Sequence, residues 1–216
     1  MKKNLYIYFF GLLLFALLLI SCGRAMRENE MAKMKSKADT IIVNNANMLD
    51  AFEADSLSPE QLTLFQQRGQ QKLEDFINYI ELISNKKYDR ELRLAACQQA
   101  LELFTDSSVE VKISIRDTTL KSQTIAAFLK EVYISDFDSV KIKTDLVAVA
   151  QPQLTGKPLI YSGPVKAKVN MQAYKKAQLV IDLNSTHTAS TLICKTEKKF
   201  GNESKRVWTV SIGKIN

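Results

Sequence analysis

An α+β fold, with N-terminal helices packed on a curved and largely antiparallel sheet, is what this chain predicts, and three observations carry it. Residues 58 to 104 repeat apolar side chains at helical steps, and residues 109 to 212 repeat them at strand steps. Helical connections are missing between most of the strand-like segments. Parallel neighbours need such crossovers, so strands joined by short turns should run antiparallel.

The first helix starts at Ser58-Pro59-Glu60-Gln61. Ser58 is the N-cap, Pro59 takes the first helical position, and Gln61 closes a capping box. Leu62, Phe65, Leu73, Phe76, Ile80 and Ile83 form its buried face, and Asn85-Lys86-Lys87 ends it after Ser84. A second helix opens at Asp89 and carries Leu92, Ala95, Ala96, Leu101 and Phe104, so the two should form a hairpin. The period then switches to two: Val109, Val111, Ile113 and Ile115 face one way, with Glu110, Lys112, Ser114 and Arg116 opposite. Ser122 to Tyr133 reads as a short helix on Ile125, Phe128, Leu129 and Val132. Strands follow over 140–150, 159–173, 177–188, 189–196 and 206–212. Pro152, Gly156 and Pro158 mark one connection, and Phe200-Gly201-Asn202 another. Residues 58–216 are enough for one domain with its own core, and the sequence holds no internal repeat.

Ahead of these elements, Lys2 and Lys3 precede sixteen uncharged residues, Leu5 to Ile20, and then small Ser21 and Cys22. The run is short against the ~20 residues that span a bilayer. Leu19-Ile20-Ser21-Cys22 resembles the signal of a bacterial lipoprotein. That resemblance implies that residues 1–21 are removed, that Cys22 is thioether-linked to diacylglycerol, and that the new amine is often acylated as well. Two or more acyl chains give stable anchoring where one is marginal. The mature chain is then expected in the cell envelope, lipid-anchored through Cys22. Gly23, where an Asp would retain some lipoproteins at the inner membrane, implies the outer membrane, facing the periplasm.

Residues 22–57 read as the lipidated Cys followed by a helical tether, with Met31, Met34, Ala38, Ile41, Asn45, Met48 and Phe52 on one stripe. Arg24, Arg27, Lys33, Lys35 and Lys37 outweigh Glu28 and Glu30 there, which suits either anionic headgroups or a solvated helix face. Loss of Lys2 and Lys3 lowers the formal charge from +7 to +5. That mild balance, with no aromatic-basic stacking motif, argues against a nucleic acid partner. Cys97 and Cys194 are expected to be buried free thiols, a disulfide requiring Cα atoms within ~7 Å. There is no CxxC and no zinc spacing.

The element order, ending in Val207-Trp208-Thr209-Val210-Ser211-Ile212-Gly213, resembles the nuclear transport factor 2-like or cystatin-like cone over residues 58–216. That superfamily packs helices on a bent sheet around a pocket, and it includes isomerases, dehydratases and cyclases beside domains without catalysis. No residue here matches one of its catalytic sets, so none is transferred.

His187 is the only His, which excludes multi-His metal sites. By period two it shares a face with Leu183 and Ser185. Within the polar run Asn184 to Thr188 it is expected to face solvent or sit in a turn, a general base being the alternative. Asp145 shares its face with Lys141 and Lys143 and is expected in an exposed salt-bridging row, an inward carboxylate of raised pKa being the alternative. Tyr79, Tyr133, Tyr161 and Tyr174 offer hydroxyls but are expected to pack, and Trp208 should anchor the core. No P-loop, GxGxxG, GxSxG or HExxH segment is present, and no cofactor is implied. The expected function is a non-enzymatic binding module for an envelope protein, a cell-wall component or a small ligand. The alternative is a pocket enzyme of isomerase or hydrolase type using His187 or Asp145 with a Tyr.

Overall fold

A computed structural model describes Ala54 and residues 56–116, 121–156 and 159–216, within a compact unit spanning Asp50–Asn216. The signal, Cys22, the basic cluster from Arg24 to Lys37 and the Met-rich stripe up to Phe52 lie outside the described residues.

The order is α1 (Pro59–Ser84), α2 (Arg90–Glu102), β1 (Glu110–Lys112), β2 (Ser122–Thr124), α3 (Ile125–Ile134), β3 (Ser139–Val149), β4 (Gln153–Leu154), β5 (Ile160–Lys175), β6 (Gln178–Phe200) and β7 (Glu203–Ile215). The strands form one sheet in the order β2-β1-β7-β6-β5-β3, with β4 paired to β5. All pairs are antiparallel except β1 with β7, which meet in parallel through Val111 and Ile215. The fold is therefore α+β, with helices on a mixed, open sheet.

Helix α1 starts as its capping residues dictate. The Gln61 amide donates to Ser58 Oγ (3.3 Å), and the Ser58 amide donates to Gln61 Oε1 (2.9 Å). At its far end α1 covers the outer edge of β3. Ser84 Oγ accepts from the Val140 amide (2.9 Å) and Glu81 Oε1 from the Ile142 amide (2.6 Å). Near its start, Gln66 Nε2 donates to the Ala150 carbonyl (2.5 Å). Edge amides that would otherwise invite another strand are thus satisfied by helix side chains.

Between those two latches α1 touches the sheet where Gly69 lies over Thr191. A Cβ on Gly69 would stand 2.7 Å from Thr191 Cγ2. Thr191 is fully buried and donates to the Gly163 carbonyl (2.8 Å), so it cannot swing aside freely. This contact divides the interior in two. The larger core gathers Phe76, Ile80, Ile83, Phe104, Val111, Ile115, Phe128 and Ile212 among others, and the smaller one gathers Leu57, Phe65, Ile193, Trp208 and Val210.

Helix α2 pairs with α1 as a hairpin, but its inward face differs from the expected one. Ala96 and Ala100 are buried, whereas Leu92 is 42% exposed and Ala95 is exposed. Arg93 takes the inner position because its guanidinium serves two helix ends, donating to the Ile83 carbonyl of α1 (2.6 Å) and the Tyr133 carbonyl of α3 (2.7 Å). Three strand boundaries also change. Ser122 to Thr124 is a strand, with Thr124 as the N-cap of α3. The segment from Val109 keeps its alternating burial but is a ladder only over Glu110–Lys112. The expected strands 177–188 and 189–196 are one continuous strand, because β6 pairs with β5 along its first part and with β7 along its last. Its turn from β5 uses Lys176 (φ 50°) and Ala177 (φ 61°), left-handed conformations without the Gly or Asn that would have announced them.

Replacing Gly69 by Ala tests the contact that seats α1. Helix propensity alone would favour Ala by about 1 kcal/mol. We expect instead a loss of about 1–3 kcal/mol in urea unfolding, the cost of overpacking against Thr191. Removing Thr191 Cγ2 as Thr191→Ala should make the two changes less than additive, and an undiminished or raised unfolding midpoint for Gly69→Ala alone would refute the account.

Candidate functional site

Three rows of side chains cross the sheet on the side that α1 covers. Register sets them as Ile142, Met171 and Leu183, then Thr144, Val169 and Ser185, then Leu146, Ala167 and His187. The rows and α1 enclose a cavity of about 430 Å³, with Gln70, Leu73, Glu74, Phe76, Ile77 and Ile80 as its helical wall. That volume is within the usual range for small-molecule sites. Its mouth lies between the Gln66 and Glu81 latches, where Glu74 and Asp145 are exposed and Leu146 is 54% exposed. Ala167 is the small side chain of its row at the wall of this space, opposite the residues of α1 that line it. A second cavity of about 90 Å³ continues the space toward Phe128 and Ile115. Ile113, Ile142, Val169 and His187 line both.

His187 is buried, only 8% exposed, which corrects the expectation of a solvent-facing or turn residue. The polar run around it misled because its two sides separate by period two. Asn184 and Thr186 are exposed on the outer face, where Asn170 Nδ2 bridges Asp182 (2.7 Å) and Asn184 (3.0 Å). Ser185 and His187 point inward instead. Ser185 Oγ and His187 Nε2 are 2.8 Å apart, and His187 Nδ1 is shut off from solvent with no hydrogen bond of normal geometry. Burial pushes the imidazole below its ordinary 6.5, the Asn216 backbone pulling weakly the other way. At neutral pH the ring is uncharged, one nitrogen carrying the proton and the other a lone pair.

Asp145 is exposed, in a row with the exposed Lys141 and Lys143; the exposure is as expected, while no salt bridge of Asp145 with either lysine is seen among the described residues. It does not meet His187 in an acid–base pair: its register partner is Lys168, and it contributes to the rim. The tyrosines pack. Tyr161 lies 5.7 Å from Trp208, Arg93 stacks 4.6 Å above Tyr133, Tyr174 hydrogen-bonds Gln172, and Tyr79 joins the larger core. None of them lines either cavity. Trp208 is fully buried and Cys97 and Cys194 are free, half-buried thiols. Among the described residues no His, Cys, Asp and Glu cluster could hold a metal, and no helix is long and apolar enough to cross a membrane. Sequence reasoning missed Ala167, Thr144 and Glu74. Period two already places Ala167 in the same alternation as Val165 and Val169, but nothing local says which alternation α1 will cover.

No protein-family model matches the sequence, and no curated protein matches it either. Among the solved structures that resemble the chain are three of the cone-like fold. A protein assigned as a scytalone dehydratase from Novosphingobium aromaticivorans is 9% identical, with 73% of this chain and 90% of that one covered and a TM-score of 0.35. Mtr2 of Candida albicans, in complex with the Mex67 M domain, is 11% identical over 69% and 94%, with a TM-score of 0.36. The benzoate 1,2-dioxygenase β subunit of Burkholderia mallei is 9% identical over 74% and 93%, with a TM-score of 0.31. At scores this low none of them carries an argument about this chain.

The buried imidazole makes stability depend on pH in a direction that can be worked out. The unfolded chain takes up a proton near 6.5 while the folded chain resists it, so stability is complete above that pH and declines as pH falls through and below it. Glu60, Asp106 and Asp136, whose carboxyls are held below their ordinary values by hydrogen bonds from Ser58, Ser108 and Lys175, add a separate loss at more acid pH. Urea midpoints one unit either side of 6.5 should therefore differ in the native chain and converge in His187→Leu. Equal slopes in both would show that His187 is not the group responsible.

Proposed function

We propose that this chain is a lipid-anchored binding protein of the cell envelope whose cavity takes up a small, largely apolar molecule bearing one uncharged polar group. The observation that carries this reading is the largely apolar chamber of about 430 Å³ with the uncharged imidazole of His187 in its wall. A neutral imidazole carries one N–H donor and one acceptor nitrogen, so a ligand hydroxyl, able to donate or accept, suits it whichever tautomer is present. The rim adds discrimination. Glu74 supplies negative charge there, Asp145 being flanked by Lys143 and Lys168, and no Lys or Arg lines the chamber, so a carboxylate-bearing lipid is disfavoured. A cell-wall glycan, polar throughout, suits these walls poorly.

Uptake of dyes tests this directly. A neutral environment-sensitive dye such as Nile red should bind, an anionic anilinonaphthalene sulfonate should bind far less, and Ala167→Leu should abolish the neutral dye's signal by filling the space. His187→Phe should lower affinity about tenfold by removing the polar anchor. Equal binding of both dyes, untouched by Ala167→Leu, would overturn the reading.

The Ser185–His187 contact favours a second reading, a hydrolase with Ser185 as nucleophile and His187 as base. It is weaker here because no carboxylate orients Nδ1, and the neighbouring amides of β6 pair with β5. Ester hydrolysis lost in Ser185→Ala would favour it; we expect none above background.

The anchor rests on Leu19-Ile20-Ser21-Cys22. Mass spectrometry of protein from its native host should find Cys22 at the N-terminus carrying diacylglycerol, and Cys22→Ser should shift the protein out of the membrane fraction or leave residues 1–21 uncleaved. A native protein with a bare thiol and its first residues intact would end the lipoprotein reading.

A further inference from the structure

We propose that the distal β6–β7 hairpin is a membrane-contact element, with Phe200 entering the headgroup region of an anionic phospholipid bilayer while the surrounding cations pair with lipid phosphates. The proposal rests on the anchored reading only in that the anchor keeps a bilayer within reach.

Glu197 to Arg206 are exposed without exception, so this end of the two strands stands clear of both cores. The paired stretch from Lys195–Trp208 to Phe200–Glu203 extends about 17 Å. A two-stranded ribbon solvated on both faces gains little stability of its own. Its composition also works against it. Lys198 and Lys205 are directly opposed, a like-charge pair that weakens a ladder. With Lys199 and Arg206 they make four cations against Glu197 and Glu203. Beside it on α1, Lys72 is held below its ordinary pKa by burial first and then by Arg68 and Lys198, with Asp75 and Glu102 acting the other way. An anionic surface relieves this repulsion.

At the apex, Phe200 is 57% exposed beside the Gly201-Asn202 turn. One aromatic ringed by polar residues suits insertion at a bilayer interface better than a protein interface, which needs an extended surface of roughly 800 Å² per partner. The hairpin root is also where the chain enters the domain. The Ala54 carbonyl accepts from both Lys195 Nζ (2.9 Å) and Trp208 Nε1 (2.7 Å), so polypeptide arriving from residue 22 joins the body beside the ribbon. A tethered domain needs only weak further contacts to settle in one orientation.

The full chain carrying Phe200→Trp, reconstituted on vesicles of phosphatidylcholine alone or doped with phosphatidylglycerol, tests this through quenching by brominated lipid, with the native chain as the Trp208 background. Quenching of the introduced indole is expected on the doped vesicles, and added salt should reverse it. Each of Lys198→Gln and Lys205→Gln should lower the inserted fraction about fivefold relative to the free one, circular dichroism confirming that the fold persists. No quenching, quenching equal on neutral vesicles, or cross-linking of the hairpin to an acidic protein with the indole unquenched would each overturn the proposal. The mass of residue 22 in the same sample separates the two readings. A bare thiol with quenching intact sinks the anchor alone, and an acylated Cys22 without quenching sinks the hairpin alone.

Discussion

The absence of a side chain at residue 69 lets α1 lie directly on β6, and most of the architecture depends on that contact. Thr191 fills the space beneath Gly69, and its hydroxyl is committed to the Gly163 carbonyl, so three residues from α1, β6 and β5 meet with no room for adjustment. Everything on one side of the contact packs around Trp208 and Phe65, and everything on the other around Phe76 and Phe128. Close-packed interiors transmit such a constraint, because a displaced helix cannot regain its contacts elsewhere.

The same contact explains why a cavity exists. Helix α1 is fixed at Gly69 and latched to the β3 edge at Gln66 and again at Glu81 and Ser84. Between the latches, residues 70–77 pass over a part of the sheet where Ala167 and Ala189 are too small to reach them. A helix held at both ends over small residues leaves space, and His187 stands in the wall of that space. Capping of the edge strand and formation of the chamber are thus two results of one helix placement.

Strain and charge are concentrated where the sheet leaves the body. The β5–β6 turn places Lys176 and Ala177 in left-handed conformations, each at a cost of about 1–3 kcal/mol. At the opposite end of β6 the ribbon sets lysine against lysine. Both ends of this 23-residue strand are sustained by the long ladders between them.

Local chemistry determined a good deal on its own. The capping box at Ser58, the cap at Asp89, the alternation from Val109 to Ile115 and the turn at Gly201 act over a few residues, so short stretches of chain were enough to place them, together with the α+β class. Burial of Trp208 and exposure of Asp145 followed from pattern for the same reason. The face of α2, the continuity of β6 and the environment of His187 were decided only by tertiary structure. Arg93 displaces Leu92 from the interior because two distant helix ends present carbonyls to it. His187 is buried because α1, more than a hundred residues earlier, covers one of two faces that the strand's alternation makes locally equivalent. A period of two tells which side chains travel together, and only the packing of a distant element selects the set that loses water.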